Sequence, residues 1–299
     1  MFALRTLPLR LASAYVRTSR WDTARWRLVN YTLRKTRDYG SLMGRAIIST
    51  HYGFKMELQL HDWVDQHIWA TGNYEDSTAL TIEILLNRGD TCVDLGAHIG
   101  FFTLLMAQRV GPEGAVWAFE PSPQVRTRLL RNLTLNHVTN VTVREEAVAD
   151  VDGKRRFFSG TDDHSSIASL RSLQSSSDSF EVRTCQLSSC FSGSIRPRLI
   201  KMDIEGAEHL ALQGMKELLQ DQYPDVILEM SDHFLKEMGS SSIEVYIFMT
   251  RLGYRMYRID WDGLIGYQGW DSSLPTQFNA LFTVTEFLPR QLNLKAVVA

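Results

Sequence analysis

The clearest signal along the chain is a change of period. Over residues 51–70, Phe54, Met56, Leu58 and Leu60 alternate with polar residues, which predicts a strand. A short helix is expected over 61–69. From residue 74 to 87, Ala79, Leu80, Ile82, Leu85 and Leu86 follow helical spacing, and Arg88-Gly89-Asp90 stops it. The pattern then alternates. Apolar runs at 91–95 and 115–119 predict strands, as does the segment 141–147, and 102–110 and 124–136 predict helices. Residues 151–198 break this rhythm with two ribbon strands, 154–158 and 180–187, around a Ser-rich loop at 159–179. The rhythm resumes with strands at 198–202 and 226–230 and helices at 207–220 and 242–252. A strand pair at 254–260 and 279–284, joined by a Gly/Trp-rich connection, closes it. Strands alternating with helices predict an α/β fold, a doubly wound and mostly parallel sheet.

Charge divides the chain in two. Residues 1–50 hold ten Lys/Arg against two Asp, leaving 22 bases and 32 acids for the remainder. Residues 1–50 are therefore read as a basic, aromatic-containing helical extension and 51–299 as the main domain. The extension carries Trp21, Trp26 and Tyr31. Packing on the main domain, peripheral membrane contact and an Arg-rich transit peptide are its three readings. The acidic remainder argues against a nucleic-acid partner. Three cysteines match neither a disulfide framework nor a zinc spacing, and no apolar run is long enough to span a bilayer. A cytoplasmic location is the default expectation.

Two stretches carry the chemistry. The first, Val93-Asp94-Leu95-Gly96-Ala97-His98-Ile99-Gly100, ends an apolar run at an acid and turns through glycine into a helix. It fails the dinucleotide fingerprint, because His98 and Phe101 stand where that fingerprint needs glycine. It is no P-loop either, so a cationic ligand without phosphates suits it better than a nucleotide. S-adenosylmethionine is such a ligand. Asp94 is the expected partner of its cationic groups, and Gly96 and Gly100 would admit its amino-acid and ribose portions. Glu120, after the next strand, would accept from both ribose hydroxyls, and Glu146 and Ala147 would neighbour the adenine.

These residues, with Ala118-Phe119-Glu120-Pro121, Asn132-Leu133-x-x-Asn136, Lys201-Met202-Asp203-Ile204-Glu205-Gly206-Ala207-Glu208 and Ile227-Leu228-Glu229, resemble the FkbM-type family of S-adenosylmethionine-dependent methyltransferases. The resemblance covers about residues 60–285. It implies a seven-stranded sheet with a reversed last strand. It also implies O-methylation of a hydroxyl on a sugar, glycolipid, polyketide or similar product. It adds Glu75, Ala97, Thr103, Pro121 and Ser122 to the cofactor set. His98 stands where the family usually has Asn; both types tolerate left-handed backbone, so His98 is read as a turn-former or as a ligand contact.

Transfer to an alcohol needs a group that takes or orients its proton. Asp203, at the end of the fourth strand, is the first candidate, and Lys201 shares its face. Glu208 is read as catalytic or as a helix-start acid, Glu205 as structural, and His233 as a further candidate base. Asp203, Glu229 and His233 are weighed as a divalent-metal set, though their spacing does not demand one. The acceptor is expected to be a small or lipid-linked hydroxyl compound. An N-methyltransferase acting on protein or nucleic acid, and a non-catalytic cofactor-binding module, are the alternatives. Oligomeric state is not readable.

Overall fold

The computed structural model describes residues 44–158, 170, 179–191, 195–261 and 263–286, with Leu9, residues 11–15, Leu28, residues 31–32 and Lys35 before them. Most of the basic extension, and the Ser-rich loop apart from Leu170 and Ser179, lie outside the described residues.

The first two strands, β1 (Arg45–Ser49) and β2 (Lys55–Gln59), form an antiparallel hairpin. Residues 45–49 are therefore strand where the extension was expected to be helical. Helix α1 (Trp63–Thr71) follows, with the Asp62 carboxylate accepting from the Val64 and Asp65 N–H groups at its start. The βα succession is then α2 (Asp76–Leu85), β3 (Thr91–Leu95), α3 (Phe101–Val110), β4 (Ala115–Phe119), α4 (Pro123–Leu135) and β5 (Val141–Arg144). A small sheet comes next, built from β6 (Ala147–Val148), β7 (Gly153–Phe158) and β8 (Ser179–Cys185), followed by the short α5 (Leu187–Cys190). The second half contains β9 (Leu199–Met202), α6 (Glu208–Gly214), α7 (Lys216–Gln222), β10 (Asp225–Ser231), α8 (Asp232–Glu237), α9 (Ser242–Arg251), β11 (Arg255–Asp260), β12 (Gly263–Tyr267) and β13 (Gln277–Thr283).

The main sheet runs β12-β11-β13-β10-β9-β3-β4-β5. Strands β5, β4, β3, β9 and β10 are parallel, and β13 enters antiparallel between β10 and β11. These seven strands match the expected sheet with its reversed last strand. An eighth, β12, extends the edge from within the connection read as irregular, where Gly263 and Gly266 dilute its strand signal. The run read as one strand at 141–147 is shared between two sheets, turning at Glu145-Glu146. The helix expected over 207–220 is interrupted at Met215; Leu212, Met215, Leu218 and Leu219 are all buried, so the apolar period does not register the break.

Successive residues of the central strands face opposite cores, which is why they read as unbroken apolar runs. Cys92 belongs with Phe102, Leu104 and Leu129 on one side; Val93 and Leu95 belong with Met202, Leu212 and Met230 on the other. On the first side, Asp94 lies directly opposite Lys201 in the β3–β9 register. After β3 the chain winds one way, and β9 restarts beside β3 and winds the other. That reversal opens a crevice at the carboxyl ends of β3 and β9.

Candidate active site

A cavity of 320 Å³ occupies this crevice. Its floor is where the two sequence stretches meet. The Asp203 N–H donates to the Leu95 carbonyl at 3.0 Å. Gly96 has φ +77°, and a Cβ there would lie 1.9 Å from the Asp203 carbonyl oxygen. Gly100 has φ +95°, and a Cβ there would lie 2.5 Å from Leu129 Cδ1. Gly96 is thus required by a main-chain contact within the protein and also lines the cavity, while at Gly100 it is the left-handed backbone that calls for glycine. His98 also takes left-handed backbone, φ +52°, in keeping with a turn-forming role.

At the β4 end the carboxylates are held by the fold. Glu120 is 6% exposed, and its two oxygens accept from the His98 and Ser122 N–H groups, each at 2.9 Å. Burial pushes its carboxyl up to about 7, against the pull of those two donors. Glu146 receives both arms of Arg144 at 3.1 Å, and the pairing holds its carboxyl below the usual range. Pro121, Ala147, Val148, Phe157 and Leu170 supply an apolar wall around these two acids. His98 lines the cavity as well. Its Nε2 has no hydrogen-bond partner among the described residues, and burial pushes the ring down to about 4, so it is neutral near pH 7.

At the β9–β10 end the carboxylates of Glu75, Asp203, Glu205 and Glu229 line the cavity together with Lys201. The Lys201 ammonium is 3.4 Å from Asp203 Oδ2 and 4.7 Å from the centre of the Phe102 ring. Burial alone would lower it, but Asp203, Asp94 and Glu75 outweigh burial and hold it above the ordinary lysine value. Burial, then Asp203, raise the carboxyls of both Glu75 and Glu229. Glu75 accepts from Asn279 at 2.8 Å, and Glu229 from Gln277 at 2.6 Å. Tyr74 and Phe234 complete this end.

Several predicted residues stand apart from the cavity lining. Asp94 is 1% exposed; Thr103 donates to its Oδ2 at 2.6 Å, while its Oδ1 has no hydrogen-bond partner among the described residues. Asp94 and Thr103 therefore stand behind Lys201, outside the cavity lining. Ser122 serves Glu120 through its N–H and caps α4. Glu208 is buried, accepts the Ile204 N–H at 3.0 Å, and is raised by that burial to about 8. It fastens the loop after Asp203, which is the structural alternative weighed for it. His233 is the plainest correction. It is solvent-facing and paired with Glu237 one turn on, while its neighbour Phe234 takes the cavity position. The set Asp203, Glu229 and His233 is accordingly not assembled, and among the described residues no group of three His, Cys, Asp or Glu is arranged to hold a metal ion.

Sequence reasoning overlooked Trp63, Val64 and Tyr74, which reach the cavity from the start of α1 and the turn before α2. The sequence places Trp63 and Val64 only within a short helix over 61–69, and Tyr74 only at the start of the following helical pattern. The left-handed Glu75, φ +47°, aims this turn inward, and no period reports that. Among the described residues no helix is long and apolar enough to cross a membrane.

Residues 94–256, more than half of the chain, match the model of the methyltransferase FkbM domain. Among curated proteins the chain is similar to Methyltransferase 1 of Beauveria bassiana, with 29% identity over 164 residues. That match covers 47% of this chain and 64% of the relative. A second match, to a protein-L-isoaspartate O-methyltransferase of Ignicoccus hospitalis, is 38% identical over 58 residues, 19% of this chain and 28% of that one. Solved structures similar to it include methyltransferase FkbM from Methylobacillus flagellatus, at 17% identity and TM-score 0.44, covering 94% of this chain and 60% of that one. Another is an S-adenosylmethionine-dependent O-methyltransferase from Thermotoga maritima, at 13% identity and TM-score 0.40, covering 81% and 79%. Taken with the doubly wound sheet and the cavity at its switch point, the domain match shows that the chain belongs to the FkbM methyltransferase family.

Proposed function

We propose that the chain transfers the methyl group of S-adenosylmethionine to a hydroxyl of a sugar, glycolipid, polyketide or similar natural product. The observation that carries this reading is the pairing, in one cavity, of a pre-set carboxylate at the β4 end with a lysine–carboxylate set at the β9–β10 end. The residues fit the cofactor. Each Glu120 oxygen already accepts one backbone N–H and keeps a second lone pair for a ribose hydroxyl. The apolar wall of Pro121, Ala147 and Val148 suits an adenine ring. The cofactor, when bound, supplies an electrophilic methyl on a cationic sulfur.

The chain's own residues then have three tasks. Glu120 and its wall fix one half of the ligand pair, so that much of the rate comes from orientation. Asp203 orients the acceptor hydroxyl and takes its proton. Lys201 holds Asp203 in place from 3.4 Å, itself steadied by Asp94 and Phe102. Transfer of labelled methyl into an extract of the source organism, read by mass spectrometry, identifies the acceptor. Asp203→Asn should lower turnover about a hundredfold while leaving cofactor affinity nearly unchanged. Full turnover in that variant would remove Asp203 from the role.

A further inference from the structure

Two of the three cysteines meet just outside the cavity. Cys185 ends β8 and Cys190 ends α5, and the Cys190 N–H closes the turn between them by donating to the Gln186 carbonyl at 3.3 Å. Both are free thiols, Cys185 buried and Cys190 half-buried, and they are hydrogen-bonded to each other. The Arg144 guanidinium stands near both sulfurs and also grips Glu146, which lines the cavity. Cys185 reaches the cavity wall through the backbone as well. It lies opposite Val148 in the β6–β8 register, and its carbonyl accepts the Ala149 N–H at 2.9 Å. Cys92 differs on every count: it is wholly buried in β3, its thiol donates to the Ala115 carbonyl at 3.8 Å, and burial pushes it up.

We propose that Cys185 and Cys190 are a peroxide-reactive pair, oxidised to a disulfide that weakens the cofactor grip at the β4 end of the cavity. The disulfide stands on the two thiols alone; its effect on the cofactor rests on the methyl-transfer reading. A cysteine that reacts with peroxide is accessible, has thiolate character and has a resolving thiol beside it. Cys190 meets each condition. The hydrogen bond from Cys185 and the charge of Arg144 hold its thiol below the ordinary cysteine value, against burial, Glu146 and Asp152. Cys185 donates that bond, and the bond and burial hold its own thiol well above the ordinary value, so it keeps its proton. The Cys190 thiolate attacks one oxygen of hydrogen peroxide; an S–O bond forms, the O–O bond breaks and hydroxide leaves. The Cys185 sulfur then attacks the Cys190 sulfenic acid; the S–S bond forms, the S–O bond breaks, and the Cys185 proton leaves with that hydroxide as water. The dithiol gives up two electrons and the peroxide takes them. Joining the sulfurs draws α5 onto the end of β8, the strand that backs Val148, and removes thiolate character from beside Arg144.

The test treats the reduced full chain with a small excess of hydrogen peroxide, maps its peptides by mass spectrometry, and titrates both forms calorimetrically with S-adenosylhomocysteine. The peptide carrying Cys185 and Cys190 should become lighter by two hydrogen atoms and regain them with dithiothreitol, while Cys92 stays a free thiol. Cys185→Ser should stop at a dimedone-reactive sulfenic acid on Cys190, and Cys190→Ser should give neither product. The oxidised chain should bind S-adenosylhomocysteine about tenfold more weakly than the reduced one. Absence of the disulfide, prior oxidation of Cys92, or equal affinity of the two forms would overturn the proposal. The wild-type map and titrations decide it even where a variant fails to fold. Failure of the reduced chain to bind S-adenosylhomocysteine would instead strike the methyl-transfer reading and leave the disulfide result standing.

Discussion

The two ends of the cavity hold their carboxylates in opposite ways. At the β4 end each acid has its partners within the protein: Glu120 takes two backbone N–H groups, and Glu146 takes both arms of Arg144. At the β9–β10 end Asp203 pairs with the Lys201 ammonium, and Glu75 and Glu229 accept from the neutral side-chain amides of Asn279 and Gln277. The first end is rigid and pre-set, and suits a ligand portion that never changes. The second gathers acids beside a lysine and is held mainly by side chains. A family can therefore keep its cofactor grip and change its acceptor by varying residues at one end alone.

The largest expected effect would break the comparison by separating the two ends. Gly96→Ala drives a Cβ to 1.9 Å from the Asp203 carbonyl oxygen at φ +77°. It should cost about 3 kcal/mol or more, seen as a large fall in Tm by thermal denaturation; an unchanged Tm would mean that the loops separate freely. Glu120→Ala attacks the rigid end alone. It should raise the Kd for S-adenosylmethionine about ten- to a hundredfold by titration calorimetry, and an unchanged Kd would remove Glu120 from the cofactor site.

Glu208→Gln tests the cost of a buried acid outside the cavity. The folded-state value of about 8 lies above the ordinary 4.5, so ionisation is penalised in the folded protein. That penalty is absent below about pH 4.5 and complete above about pH 8. The amide still accepts the Ile204 N–H, so the variant should gain about 1–3 kcal/mol at pH 9 and nothing near pH 4. Denaturant melts at the two pH values check it, and an equal effect at both would contradict it. The smallest effect belongs to His233→Ala. An exposed contact with Glu237 and a tilted ring contact with Phe234 are lost, so turnover and Tm should stay within error, about 0.5 kcal/mol at most. A fall in turnover would return His233 to the site.

The central fold was legible because buried parallel strands are apolar runs, and β3, β4, β9 and β10 are such runs between helical periods. The edges were less so. Strand β12 is short, half-exposed and contains two glycines, and the charged run Arg144-Glu145-Glu146 marks where one sheet gives way to another, a break that falls within a single expected strand. In the site, the acids at strand ends stood out because charge after an apolar run is easily seen. Which of them face the cavity did not. Asp94 is turned to Lys201 by register between strands a hundred residues apart, and His233 is one residue out of phase with the cavity. Tyr74 reaches the cavity through the path of a turn, which side-chain periodicity does not encode.

The contact between Gly96 and the Asp203 carbonyl sets the spacing of the whole site by main chain alone. Side chains at either end can then be exchanged, by drift or by a protein engineer, without altering the distance between donor and acceptor. In that sense the crossing acts as a fixed gauge. Redesign of the acceptor end can be attempted residue by residue, provided this one glycine and the strand register behind it are left untouched.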